Sequence, residues 1–456
     1  NQFVAYFGKV LHGDLGYSYF FNLPVTELIR DRLPATLLLV VTAVCAAVVR
    51  GIARNESASV GNFWADLVRV TLYVLLPLSV IGAALMLWQG MVQTFDAGVT
   101  ATTLEGGKQF IATGPVASQI AIKLLGTNGG GFFNVNAAHP FENPTALSSF
   151  LQSFYILIIP SALVFFLGES VGNRRHAWTV WSVMLALFVG GALWIYFNEL
   201  NGTHLLHQFA GGAVPNMEGK EVRFGIAQSA MFTTTTTSFT TGTVNNMHDT
   251  LTPLGGMIPL LHMMLNVVFG GKGVGLMNMI MYAILGVFIF GLMIGRTPEY
   301  LGKKIEGREM KLTALCIIIH PFLILAFSAL AVSTEGGLAG ITNPGFHGLS
   351  QVLYEYASSA ANNGSGFEGL ADNSYFWNIT AGLAMFFGRY LSIVIQLAIA
   401  GSLMRKQFVN DSIGTLRTDS ATFTIGLVCV VYIFAALTFF PALALGPIAE
   451  HLTLWA

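Results

Sequence analysis

Apolar runs separated by short polar loops recur along the chain. They cover about 35–49, 68–90, 150–168, 178–197, 312–333, 376–402 and 421–446, and a longer run extends from about 254 to 294. A membrane-crossing helix needs roughly 20 mostly apolar residues. The pattern therefore predicts an all-α polytopic membrane protein with about eight transmembrane spans, the first short enough to draw on its flanks. The 254–294 run exceeds one crossing, and Phe269-Gly270-Gly271-Lys272-Gly273-Val274-Gly275 interrupts it. This predicts a broken helix, which survives at membrane depth only where it is buried or faces a wet cavity.

Composition agrees with the pattern. The 456 residues are 54% hydrophobic and 10% charged, with a mean hydropathy of +0.65, whereas a soluble domain carries about 25% charged residues. A net charge of −1 gives no general attraction to nucleic acid. Cys45, Cys316 and Cys429 lie far apart in apolar runs and read as buried thiols rather than a disulfide or metal framework. The first residue is Asn1 and no basic signal-peptide region precedes the first run, so the natural start is expected to lie upstream.

Charge orients the spans. The segments 50–67, 169–177, 295–311 and 403–420 carry twelve Lys and Arg. The longer alternate segments 91–147, 198–253, 334–375 and 447–456 hold four: Lys108, Lys123, Lys220 and Arg223. Basic loops stay inside, so the first set is expected to be cytoplasmic, and the second set and the C terminus external. The external set also carries twelve acidic residues, which raise the local cation concentration modestly.

A repeat emerges from this division. Three times the chain crosses, runs a long external excursion and returns to a basic loop. Each excursion holds a segment of helical character (Val116 to Leu125, Ile226 to Thr237, Leu349 to Ala361) followed by a polar, glycine-bearing turn. The turns are Gly126-Thr127-Asn128-Gly129-Gly130-Gly131-Phe132-Phe133, Thr240-Thr241-Gly242 and Asn362-Asn363-Gly364. Span, short helix, extended turn and span is the plan of a cation-channel repeat, with re-entrant pore loops near 116–131, 226–242 and 349–365. Potassium sheds its water only where several oxygens replace it, and backbone carbonyls do so without a fixed charge. Glycine lets the backbone approach the ion, and the C-terminal end of each short helix favours a cation. Taken singly, Gly129-Gly130-Gly131 is equally a flexible turn and Thr233 to Thr237 equally a low-complexity loop. Three such turns at equivalent places point instead to an ion filter.

Two charges fall at membrane depth. Arg389 sits near the middle of the 376–402 run, where exposure to lipid costs several kcal/mol, so it faces the pore or a partner group. Lys272 lies in the helix break and reads either as a gate element below the filter or as a structurally paired cation. The ten histidines show no metalloprotease spacing, and His139, His248 and His347 read as loop residues.

Longer runs carry a family resemblance. Gly114 through Gln119, Lys123 through Asn134, His139 through Leu147, Asn216 through Glu221, Gly295 through Lys304, Ser358 through Ser365 and Pro441 through Pro447 resemble the channel-like A subunit of the bacterial potassium-importing P-type ATPase (the Kdp complex). The resemblance runs from about residue 47 onward. It implies a potassium-channel-like fold of four span–pore–span repeats in the bacterial plasma (inner) membrane. It implies filter contributions from Thr127, Asn128, Gly129, Thr240, Thr241, Gly242, Asn362, Asn363 and Gly364, with potassium held by their backbone carbonyls. Gly270, Gly271, Lys272 and Gly273 match the interrupted helix below the filter, and Arg389 matches the family's intramembrane arginine. Potassium is the implied transported ion, with no covalently bound cofactor. A partner P-type ATPase catalytic subunit would use ATP and Mg2+, and small accessory membrane subunits would complete the complex. Consistently, no Asp-Lys-Thr-Gly motif and no G-x-x-x-x-G-K-[ST] loop is present, so no catalytic site is expected in this chain.

The N-terminal part departs from that family. Residues about 3–42, through Tyr6 to Ser18, Pro24 to Ile29 and Leu33 to Leu37, resemble an oligopeptide ABC-transporter permease, with a seam near 38–48. The expected organisation is a foreign-looking segment 1–34 and a remnant of the first repeat at 35–67. Repeats at 68–177, 178–311 and 312–420 follow, and then a final span at 421–456. Three filter walls are expected where the family has four. The functions this leaves are a potassium-translocating subunit, an assembling but non-conducting chain, and a peptide permease subunit. The four basic loops lack the Glu-Ala-Ala coupling loop of the last.

Overall fold

Among the described residues seven helices are long and apolar enough to cross a membrane, and the short helices between them sit where the sequence puts them. The computed structural model describes residues 17–18, 23–24, 40–409 and 416–454, with side chains from Thr42 onward. In chain order the main helices are α1 (Val40–Ala53), α2 (Phe63–Trp88), α3 (Val116–Leu125), α4 (Ala146–Ser170), α5 (Arg174–Asn201) and α6 (Gly225–Ser238). There follow α7 (Pro253–Leu265), α8 (Val274–Ile294), α9 (Gly307–Val332), α10 (Phe346–Ala361), α11 (Tyr375–Met404), α12 (Ala421–Leu443) and α13 (Ala449–Thr453). The described strands form only two-stranded ribbons: Tyr17–Ser18 with Leu23–Pro24, Gly98–Thr102 with Lys108–Ala112, and Glu299–Tyr300 with Lys303–Lys304.

Local chemistry explains where the helices begin and end. Thr145 and Ser148 form a reciprocal capping box at the start of α4, and Asn173, Thr252, Ser374 and Ser420 cap α5, α7, α11 and α12 through their side chains. Such caps satisfy amide groups that no earlier turn can reach. Gly295 and Asn266 end α8 and α7 in the left-handed region, as helix C termini favour. After Leu443 the chain kinks at Gly446, with φ −94° and ψ −105°, before α13.

Packing sets each short helix among longer ones. Short helix α3 lies against α2 and α4, α6 against α4, α5 and α7, and α10 against α7, α9 and α11. In its most apolar stretch α8 is 61% buried and α2 only 11%, so α8 is central and α2 peripheral. Trp64 and Trp88, each 71% exposed, stand at the two ends of α2, the spacing of an aromatic belt at both membrane faces. Helix α1 starts at Val40 among the described residues and packs on α11, α4 and α8. Two expectations shift. The break in the long apolar run spans 266–273 rather than beginning at Phe269, because Asn266 itself turns left-handed. Cys45 and Cys316 are buried, but Cys429 is exposed on α12, whose apolar sequence does not distinguish an inward from an outward face.

Candidate ion-binding site

The segment Thr233–Thr237 is helical, not a loop. All five threonines are buried, and the hydroxyls of Thr234, Thr235 and Thr237 donate to the carbonyls of Ala230, Met231 and Thr233 at 2.8 Å. β-Branched residues are weak helix formers, so packing between α4, α5 and α7 rather than propensity holds this helix. Thr233 donates to Asn246 Oδ1 at 2.9 Å, and Thr236 donates to the Thr241 carbonyl. The threonine run thus braces the turn that follows it.

The three turns share one backbone geometry. Thr127, Thr240 and Asn362 have φ of 47°, 46° and 55°. At each turn the next amide reaches back five residues: Asn128 to Lys123 at 3.0 Å, Thr241 to Thr236 at 2.7 Å and Asn363 to Ser358 at 2.9 Å. A left-handed non-glycine residue costs about 1–2 kcal/mol, and for β-branched threonine the conformation is an outlier. Its repetition at three equivalent places marks a shared constraint rather than an accident of one loop.

The turns also meet. A Cβ built on Gly129 would lie 2.5 Å from Gly242 Cα, and one on Gly242 would lie 2.7 Å from the Asn363 carbonyl oxygen and 2.8 Å from Gly364 C. The turns touch, backbone to backbone, in the order first, second, third. Asn363 Nδ2 donates across to the carbonyls of Thr236 (3.0 Å) and Thr241 (3.2 Å), and Thr243 donates to the Gly130 carbonyl at 3.4 Å. Among the described residues no protein donor meets the backbone oxygens of Thr127, Asn128, Gly129, Thr240, Gly242, Asn362, Asn363 or Gly364. The Thr241 carbonyl is the exception, since Thr236 and Asn363 both donate to it. Helices α3, α6 and α10 end at these turns, so their partial negative ends converge there.

The break between α7 and α8 lies against the turns. Gly270 N donates to Ser238 O at 2.9 Å and Gly271 N to Phe239 O at 2.7 Å. A Cβ on Gly271 would lie 2.9 Å from Thr240 Oγ1 and 3.6 Å from Thr127 Oγ1. Phe239 and Phe269 stack at 4.9 Å beside this contact. Lys272 is 4% exposed and its Nζ meets no hydrogen-bond partner among the described residues, which does not match the paired-cation reading. Arg389 lies within electrostatic range of it and lines a small cavity of about 40 Å³ with Asn266, Asn278, His320, Asn362 and Gln396. Gln396 donates to Asn278 (2.8 Å), which donates to the Asn266 carbonyl (2.8 Å). Among the described residues no partner meets the buried Asn266 Oδ1.

Carboxylates support the loops around the turns, with Glu142 and Glu199 buried, and no sequence motif announces them. Glu142, fully buried, accepts Phe133 N at 2.7 Å and pairs with Lys123 at 3.4 Å. Glu199 pairs with Lys220 at 2.7 Å and accepts from Asn216 and Thr252. Glu368 accepts the amides of His248 and Asp249 at 2.9 and 3.1 Å. The three histidines read as loop residues have structural roles. His139 stacks on Phe133 at 4.2 Å. His248 is fully buried, with Nδ1 2.7 Å from the Tyr354 hydroxyl. His347 stands between Asp249 (3.0 Å) and Glu450 (2.8 Å), joining the start of α10, the loop after the second turn and α13. Chain separations of 98 and 103 residues hid that bridge from the sequence.

The His347 bridge carries a pH dependence. Burial alone lowers its pKa from the ordinary 6.5, but the two carboxylates outweigh burial and raise it to about 9. A raised folded-state value stabilises fully below the unfolded value and is lost as pH climbs through the folded one. His347→Gln is therefore expected to lower the melting temperature most at or below pH 6.5, with the difference from the parent shrinking through pH 9. A pH-independent difference in thermal scans would refute the charged bridge.

The site and fold define a class: a polytopic membrane protein in which three short helices bring glycine-bearing turns to one point. Comparison with known proteins narrows it. Residues 36–452 match the family described as the potassium-transporting ATPase A subunit. The chain is 52% identical over 443 residues to the potassium-transporting ATPase potassium-binding subunit of Geobacillus kaustophilus, covering 97% of this chain and 78% of that protein. It is 53% identical to the Clostridium acetobutylicum subunit of the same name, with the same coverage. To that of Nitratidesulfovibrio vulgaris it is 56% identical over 412 residues, covering 90% of this chain and 72% of the relative. The chain belongs to the potassium-transporting ATPase A subunit family. Alignments covering 97% of the chain extend ahead of residue 36, where the family match begins. The stretch 3–42, expected from the sequence to resemble a permease, lies outside the described residues except at 17–18, 23–24 and 40–42.

Proposed function

We propose that the chain binds potassium at the three converging turns and passes it to a partner in an ATP-driven import complex. The observation that carries this reading is the repeated left-handed residue followed by glycines in backbone contact, with eight backbone oxygens of the turns unclaimed by protein donors. Such oxygens replace a potassium ion's hydration shell without fixing it too tightly, and the converging helix ends add a negative field. Thr127, Asn128, Gly129, Thr240, Gly242, Asn362, Asn363 and Gly364 would supply the oxygens, with Thr241 holding the turns together. Beyond them, Gly270, Gly271, Lys272 and Gly273 occupy the way through. Lys272 and Arg389 repel a cation from a straight path, while the polar cavity beside Arg389 offers a lateral one.

The relatives' names place a potassium-binding subunit in a potassium-transporting ATPase; in this reading the partner is a P-type ATPase subunit that uses ATP and Mg2+, with small accessory membrane subunits beside it. We assign the turns to the outside of the bacterial inner membrane and the basic loops 50–67, 169–177, 295–311 and 403–420 to the cytoplasm. The repeats then run 68–177, 178–311 and 312–420, after a first-repeat remnant at 35–67 and before the span 421–456. One observation favours a second reading, in which the chain assembles without conducting. Asn128 and Gly129 line a cleft with Ser118, Gln119 and Ile122, and Ile122 is 60% exposed, so the described residues leave the first turn open on that flank.

Rubidium uptake into liposomes, with this chain reconstituted beside its partner subunits and ATP, separates the two. Uptake that competes with potassium supports the filter. Uptake only after a further span–pore–span repeat is fused ahead of residue 35 supports the second reading. Gly129→Asp is expected to weaken rubidium affinity, because it puts a carboxylate against Gly242; unchanged affinity in a transporting complex counts against the assignment.

A further inference from the structure

Helices α5, α7 and α12 pack together and line a second, largely apolar groove of about 350 Å³. Leu187, Leu265 and Val268 form its buried floor, and Gly190, Trp194 and Tyr432 its rim. Gly190 opens the wall, since a Cβ there would meet nothing within 4 Å. At one lip the Trp194 indole donates to the Leu254 carbonyl at 3.1 Å, with the ring 45% exposed. From Trp194 to Leu187 the helix rises about 10 Å, which lies within one leaflet of a core about 30 Å thick.

We infer that this groove binds one phospholipid acyl chain from the leaflet on the side of the glycine-bearing turns. Two of its walls are helices long and apolar enough to cross the membrane, and its rim residues Trp194 and Tyr432 are exposed, so the mouth opens on the apolar outer surface that hydrocarbon covers. The slot is the gap between two helices already in contact and floored by a third. An added helix, about 10 Å across, does not enter such a gap, and a single hydrocarbon chain does. In lipid the gain comes from close packing rather than from leaving water, and the glycine pair supplies the depth for it. A side chain at Gly191 would strike the His262 ring at 2.6 Å, so that ring closes the groove beneath the glycines.

The occupant would brace the second turn. His262 Nδ1 lies 3.0 Å from Ser238 Oγ at the last position of α6. Val268 belongs to the break that hydrogen-bonds Ser238 and Phe239. An acyl chain on this floor therefore supports the segment that supports Thr240. The inference rests on the groove and the membrane fold, not on potassium selection.

The test uses the full chain in nanodiscs doped with a phospholipid carrying a diazirine in one acyl chain, irradiated and mapped by mass spectrometry. Adducts are expected to concentrate on residues 187–194 and 257–265 above the level on the exposed face of α2. Gly190→Leu fills open space and favours helix. It is expected to cut the groove adducts several-fold, leave those on α2 unchanged and raise the melting temperature in lipid-free detergent. Groove adducts no denser than those on α2, or unchanged by Gly190→Leu, would overturn the inference. So would a partner protein cross-linked there in place of lipid in the assembled complex.

Discussion

Replacing Gly242 with alanine is expected to abolish selective rubidium uptake while leaving the helices in place. Gly242 is the middle of the three contacting turns, and an added methyl carbon would lie 2.7 Å from the Asn363 carbonyl oxygen and 2.8 Å from Gly364 C. Both are backbone atoms, so relief requires moving a whole turn. A displacement of about an ångström at a closely arranged site costs roughly a hundredfold in function. Gly129→Ala presses on Gly242 alone and is expected to be the milder of the two. Gly130→Ala, where a Cβ would meet nothing within 4 Å but φ is 86°, isolates backbone strain from contact. Uptake by Gly242→Ala within a factor of about two of the parent, too small a change to reflect a disturbed site, would remove the turns from the ion path.

The largest effect on stability is expected from Glu199→Ala. Glu199 and Lys220 are fully shielded from solvent, 2.7 Å apart, and the carboxylate also accepts from Asn216 Nδ2, Thr252 N and Thr252 Oγ1 at 2.7–2.8 Å. Removing one partner leaves a buried, uncompensated charge and costs about 3–5 kcal/mol. It also frees the cap of α7, because Thr252 is the residue that starts it. The double replacement Glu199→Met with Lys220→Met is expected to recover most of the loss, since a buried pair exchanged for apolar groups is often neutral. Thermal unfolding in detergent, read beside rubidium uptake, checks both. A single variant as stable as the parent would show that solvent reaches the pair.

Much of the fold was legible because lipid simplifies the code. Spans need only length and hydrophobicity, and the three short helices appear because each stands between a span and a glycine-bearing turn. The break at 266–273 was visible through its glycines, though Asn266 extended it. The carboxylates behind the turns were not legible. Glu142, Glu199 and Glu368 look like ordinary loop acids until folding buries them or sets them against amides. The threonine run had an equally good reading as a loop, and only burial among α4, α5 and α7 decided for helix. His347 needed two partners about a hundred residues away.

By itself the sequence determined the membrane class, the order of the apolar helices and where the three glycine-bearing turns fall. These follow from local chemistry: apolar length, loop charge, and glycine beside polar residues. Tertiary structure alone decided that Gly129, Gly242 and Gly364 line up in contact, that Thr127, Thr240 and Asn362 share one strained conformation, and that Lys272 and Arg389 lie near one another. Those facts depend on how helices distant in the chain pack. Burial sets the energy of each buried charge and each strained turn, and no stretch of sequence carries its own burial.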